Sequence, residues 1–132
     1  MARVVLVDDD DAVRGPLKDG LAGPDVEIVG EARDGFEAVD IVLSLKPDVV
    51  LMDVRMPGMG GIEASREIKL ALPFVQIVFV TAYEEPHPTH SVEETGAYAY
   101  LLKDSSPQLM RDIIHRAAQA KVEMEVRARG GA

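Results

Sequence analysis

Short apolar runs recur along this chain, and between them apolar residues fall at helical spacing. That alternation is the mark of βα units wound on a parallel sheet. Val4-Val5-Leu6-Val7 reads as a first strand. Asp10 or Asp11 can cap a helix over about 12–22, which Gly15-Pro16 should weaken or kink in its first turns. Val26-Glu27-Ile28-Val29-Gly30 alternates like a second strand near a sheet edge, since every other residue is polar or small. Asp34 with Glu37 three residues on is an N-terminal capping signal. Ala38, Val39, Ile41, Val42 and Leu45 then make one apolar helix face, ended by Lys46-Pro47-Asp48.

Val49-Val50-Leu51-Met52 is apolar throughout, as a strand covered on both faces should be, and Asp53 closes it. After the turn from Pro57 to Gly61 a helix is predicted over about 62–72, stopped by Pro73. Residues 76–80 make a fourth strand that ends in Thr81. Glu84-Glu85-Pro86-His87-Pro88 cannot be regular helix, so the helix after that strand should be short and open near Thr89. Ala99-Tyr100-Leu101-Leu102 is a fifth strand with Lys103 at its end. Ser106 as cap and Pro107 at the first helical position open a last helix with the stripe Met110, Ile113, Ile114, Ala117 and Ala118, which thins beyond Ala120. The predicted class is α/β, a doubly wound five-stranded parallel sheet.

Length and charge narrow what such a domain does. At 132 residues and 14.3 kDa the chain is one ordinary domain, able to bury roughly two-thirds of its unfolded surface. It has no cysteine, which removes thiol catalysis, thiolate metal sites and disulfides. Fourteen basic against 23 acidic residues leave a net charge of −9, so direct nucleic-acid binding by this domain is not expected. The basic cluster from Lys121 to Arg129 alternates with Glu123 and Glu125 and reads as a solvated helix end. Neither a signal-peptide core nor a membrane-spanning run is visible, and the cytoplasm is the expected compartment.

In a doubly wound parallel sheet all strand C-termini lie along one edge, so residues far apart in sequence meet there. That edge carries Asp8 and Asp9 after the first strand, Asp53 after the third, Thr81 at the end of the fourth and Lys103 after the fifth. Carboxylates 4 Å apart repel by roughly 4 kcal/mol per pair at an effective dielectric near 20 unless a cation sits among them. An all-oxygen, acid-rich site suits Mg²⁺ sharing its positions with a phosphate, and an ammonium and a hydroxyl both answer phosphoryl oxygens. Each residue alone has a plain account: acids at a helix N-terminus, a β-forming threonine, a strand-end lysine. Those accounts do not explain why acid, acid, hydroxyl and amine end four strands of one sheet.

On these ordered pieces the chain resembles the receiver domain of bacterial two-component response regulators, over about residues 3–120. Val7-Asp8-Asp9 is similar to the family's metal-binding acid pair, and Asp53 in Leu-Met-Asp-Val-Arg-Met-Pro-Gly to its phosphoacceptor. Thr81-Ala82 resembles its switch hydroxyl and small neighbour, and Gly96-Ala97 through Tyr100-Leu-Leu-Lys103 its switch aromatic and lysine. Lys103-Asp104 and the Arg-Met-Pro-Gly wording look most like the subgroup with a LuxR-type helix-turn-helix output domain. The resemblance implies a flavodoxin-like (βα)5 sheet in the order 2-1-3-4-5. The receiver would span 1–120, and 121–132 would extend the last helix or form a linker.

It further implies Mg²⁺-dependent transfer of a phosphoryl group to Asp53 from a sensor histidine kinase or phosphotransfer protein, with Lys103 and Thr81 assisting. The ion would be held by Asp9, Asp53 and the backbone carbonyl of Arg55, with Asp8 acting through water. Thr81 and Tyr100 would switch the face of the fourth helix, fifth strand and last helix that controls output, through a fused or separate output domain or a phosphorylation-dependent homodimer. Such a domain is not a turnover enzyme, beyond slow loss of phosphate. Gly60 stands where the family often has Asp, leaving a segment Gly58-x-Gly60-Gly61 that should be loose, and Tyr83 and Arg55 should shield the phosphate.

Two rivals share the topology. Asp9-x-Asp11-x-Val13 fits the nucleophile string of haloacid-dehalogenase phosphatases, weakly, within a run of four aspartates. A flavin module would need a hydroxyl-rich phosphate loop where this chain has acids. A zinc site from His87, His90 and His115 is not persuasive, because the three lie in unrelated segments.

Overall fold

The computed structural model describes residues 1–82 and 95–130. The short helix expected to open near Thr89, with Tyr83, Pro86, Pro88, His87 and His90, lies outside them. Within the described residues five strands, β1 (Ala2–Val7), β2 (Val26–Ala32), β3 (Val49–Met52), β4 (Gln76–Thr81) and β5 (Ala99–Leu102), form one parallel sheet in the order β2-β1-β3-β4-β5. The helices are α1 (Asp11–Leu21), α2 (Gly35–Leu45), α3 (Gly61–Ala71) and α4 (Pro107–Ala128).

Alternate strand residues feed two cores because successive side chains point to opposite faces. Val5, Val7, Val50, Met52, Ile77 and Phe79 join Ala38 and Val42 of α2 and Ala64 and Ile68 of α3. Val4, Leu6, Val49, Leu51, Val78 and Val80 join Leu21 of α1 and Met110, Ile114 and Ala117 of α4. Burying a side chain the size of Leu51 or Phe79 contributes about 2 kcal/mol, and covering both faces makes the sheet a rigid base for its C-terminal rim.

Local signals act as the sequence suggests at most boundaries. The Asp10 side chain accepts from the Ala12 amide, Asp34 from Glu37 and Ser106 from Leu109, each an N-cap. Lys46 closes α2 in the left-handed region, at φ 49°. α1 runs unbroken through Pro16, whose missing N–H would have served the carbonyl of Ala12, an exposed residue open to water.

Two details differ from expectation. Lys121 is not merely solvated: its ammonium pairs with Asp48 at 3.2 Å and Glu125 at 3.3 Å, which ties α4 to the start of β3. The glycine segment after Asp53 is pinned rather than loose. Gly35 donates its amide to the Met59 carbonyl (3.1 Å), Gly61 donates to that of Val54 (2.9 Å), and Met59 is buried.

Gly61 is required for space. A Cβ there would lie 2.0 Å from the backbone oxygen of Asp53, whereas one on Gly60 would meet only the Val54 oxygen, at 3.3 Å. Gly61→Ala should therefore destabilise the domain by roughly 1–3 kcal/mol, and Gly60→Ala by distinctly less, as urea melts of the two variants would show.

Candidate functional site

Strand register brings the site together. Val7 lies opposite Met52, so Asp8 and Asp53, each the next residue, leave neighbouring strands side by side. Backbone bonds continue past the strand ends: the Asp53 amide donates to the Val7 carbonyl (2.9 Å), Asp8 to Ala32 (3.1 Å) and Lys103 to Thr81 (2.7 Å). The rim inherits the rigidity of the sheet beneath it.

The side chains converge as well. One oxygen from each of Asp8, Asp9 and Asp53 can be chosen so that all three lie within 4.8 Å of one another. The Lys103 ammonium lies 2.7 Å from Asp8 Oδ2 and 3.2 Å from Asp53 Oδ2, bridging two carboxylates that are almost fully buried. The remaining oxygens of that pair take amides: Asp8 Oδ1 accepts from Asp10 (2.9 Å) and Asp53 Oδ1 from Arg55 (3.3 Å). Asp9 is exposed. The three carboxylates offer an all-oxygen donor set that one lysine leaves short of positive charge, which fits a hard divalent cation.

Burial raises the Asp53 carboxyl above its ordinary pKa; Lys103 opposes that shift and Asp8 adds to it. For Lys103, burial pulls downward, but the combined attraction of Asp8 and Asp53 overrides it and the ammonium is held above its usual value. The nucleophile candidate is thus strained toward neutrality, and its neighbour is a firmly charged cation.

The other residues singled out from the sequence fall as follows. Thr81 is buried at the end of β4, opposite Leu102. Tyr100, opposite Phe79 on β5, is half-buried against the core under α2 and α3. Asp11 does not join the cluster: its side chain is 82% exposed and pairs with Arg14, which weakens the phosphatase string. His115 is exposed on α4. Sequence reasoning missed Arg14, whose guanidinium donates to the Asp8 carbonyl at 2.6 Å. The Asp11/Arg14 spacing on one helix face was its only available signal.

A family model described as the response regulator receiver domain matches residues 4–115, and the chain belongs to that family. The transcriptional regulatory protein LiaR of Bacillus subtilis (strain 168) is 40% identical over 131 residues, 98% of this chain and 62% of LiaR. The response regulator GacA of Pseudomonas viridiflava is 46% identical over 105 residues, 78% of this chain and 49% of GacA. The chain therefore spans about half to three-fifths of the length of these relatives. Among solved structures, the signal receiver domain of NarL from Mycobacterium tuberculosis has a TM-score of 0.85 at 31% identity, covering 89% of this chain and 96% of that one. A LuxR-family DNA-binding response regulator from Staphylococcus aureus has a TM-score of 0.82 at 25% identity, covering 89% and 99%. The fold is that of receiver domains, and the chain is a receiver domain of the two-component response regulators. No helix among the described residues is long and apolar enough to cross a membrane.

An acid whose folded-state pKa is raised penalises folding once ionised; the penalty is absent below its unfolded value and complete above its folded value. Asp53→Asn should therefore be more stable than wild type at neutral pH, by roughly 0.5–2 kcal/mol. The gain should shrink as pH falls through the raised pKa, which thermal melts across that range would show.

Proposed function

We propose that Asp53 is the phosphoacceptor of this receiver domain, and that the observation carrying this reading is the Lys103 ammonium held between Asp8 and Asp53 beside a third carboxylate. An Asp53 oxygen attacks phosphorus, and the P–N bond of a partner's phosphohistidine, or the P–O bond of an acyl phosphate, breaks. The electron pair departs with the leaving group, the histidine nitrogen taking a proton from solvent and the acyl group leaving as its carboxylate, and an aspartyl phosphate remains. Lys103 shifts from its carboxylates to a phosphoryl oxygen, and Thr81 offers its hydroxyl to another. Mg²⁺, held by Asp9, Asp53 and the Arg55 carbonyl with Asp8 acting through water, would supply charge neutralisation of the transferring group.

Movement of Thr81 toward the phosphoryl group leaves room for Tyr100 to sink further against the core, altering the β5 side that partners read. The donor is a sensor histidine kinase or a phosphotransfer protein in the cytoplasm. Phosphorylation ends in output through a DNA-binding domain, fused or separate, or through a homodimer. The receiver unit ends near residue 120, and 121–132 continue as a helical extension or linker. The domain accepts and slowly loses its phosphoryl group without turning over as an enzyme.

Incubation with Mg²⁺ and acetyl phosphate, read by intact mass, tests this. Wild type should gain one phosphoryl group, and neither Asp53→Asn nor wild type in EDTA should do so. Equal gain by Asp53→Asn would refute the assignment.

A further inference from the structure

We infer that Arg14 is a positioning residue for the cation site, acting through the peptide that joins Asp8 to Asp9; this rests on the reading of Asp8, Asp9 and Asp53 as that site. Arg14 lies early in α1, yet its side chain is only 12% exposed, unusual for an arginine near a surface. Its Nη1 donates to the Asp8 carbonyl at 2.6 Å, its Nε to Glu31 Oε1 at 3.4 Å, and its Nη2 pairs with Asp11. The other Glu31 oxygen is 3.4 Å from Lys18. One guanidinium thus braces the acidic loop against α1 and β2.

The three acids are not held alike. Both oxygens of Asp8 and both of Asp53 have partners, from Lys103 and from backbone amides. Asp9 is exposed, and among the described residues no side chain or amide hydrogen-bonds its carboxylate. Its direction therefore depends on its own backbone. The Asp8 carbonyl that Arg14 grips lies in the peptide plane leading into Asp9, so fixing that oxygen fixes the path by which the Asp9 carboxylate reaches its neighbours. A planar fork can hold the Asp8 carbonyl and Glu31 at once, whereas a lysine ammonium offers only a point contact. Groups that orient metal ligands from behind typically change metal affinity by 10–100-fold when removed.

Isothermal titration of the full chain with Mg²⁺, beside thermal melts in EDTA, tests the inference. Arg14→Gln should weaken Mg²⁺ binding roughly tenfold or more. Arg14→Lys should recover part of that loss, and Glu31→Gln, which removes only the outer brace, should lose less than Arg14→Gln. The initial rate of phosphoryl gain from acetyl phosphate should return close to wild type once Mg²⁺ saturates the variant, because Arg14 touches no reacting atom. A folded Arg14→Gln protein with a lowered melting temperature but unchanged Mg²⁺ affinity would overturn the inference and leave Arg14 a plain structural clamp. If Arg14→Gln does not fold, Glu31→Gln decides, with unchanged affinity again overturning it. Absence of Mg²⁺ binding by the wild type would instead refute the cation-site reading, and this inference with it.

Discussion

Parallel strand register forces like charges together at the rim of the sheet, and the arrangement of the site follows from that crowding. The parallel register delivers Asp8 and Asp53 to adjacent positions with almost no exposure, and Asp9 adds a third carboxylate. At about 4 Å each such pair repels by roughly 4 kcal/mol at an effective dielectric near 20. Lys103 answers two of the three, and its backbone is itself tied to Thr81 of the neighbouring strand. The site is stable enough to exist and too negative to be content, which is the condition for taking up a divalent cation and an anionic group together.

The surrounding fold keeps that tension local. Both faces of the inner strands β1, β3 and β4 are buried, so the rim above them cannot relax by shifting those strands. Below Asp53 the chain passes close under Gly61, and the loop between them is pinned to α2 through Gly35 and Met59. On the opposite side Arg14 grips the Asp8 carbonyl and is braced by Glu31. Groups that hold their neighbours from behind are what separates a cluster of acids from a site of fixed geometry.

Much of this was legible in the sequence because it depends on periodicity and topology. The strand runs, the caps at Asp10, Asp34 and Ser106, and the meeting of Asp8, Asp9, Asp53, Thr81 and Lys103 on one rim follow from patterns that tertiary contacts do not override. What escaped depends on close approach between segments distant in sequence. Gly61 looked like a source of freedom, yet its missing Cβ makes room for the Asp53 carbonyl. Lys121 looked like one charge among several, yet α4 places it on Asp48. Arg14 went unread, because nothing local tells that its fork reaches back to a carbonyl six residues earlier.

Asp53, which burial pushes toward neutrality, is the proposed nucleophile, with Asp8 and Asp9 proposed to serve the cation. Trapping the acyl phosphate gives the most direct measurement: treat the protein with Mg²⁺ and acetyl phosphate, reduce with borohydride, and locate the resulting homoserine by tandem mass spectrometry. Homoserine is expected at position 53 alone. Homoserine at position 8 or 9, with Asp53 unchanged, would contradict it.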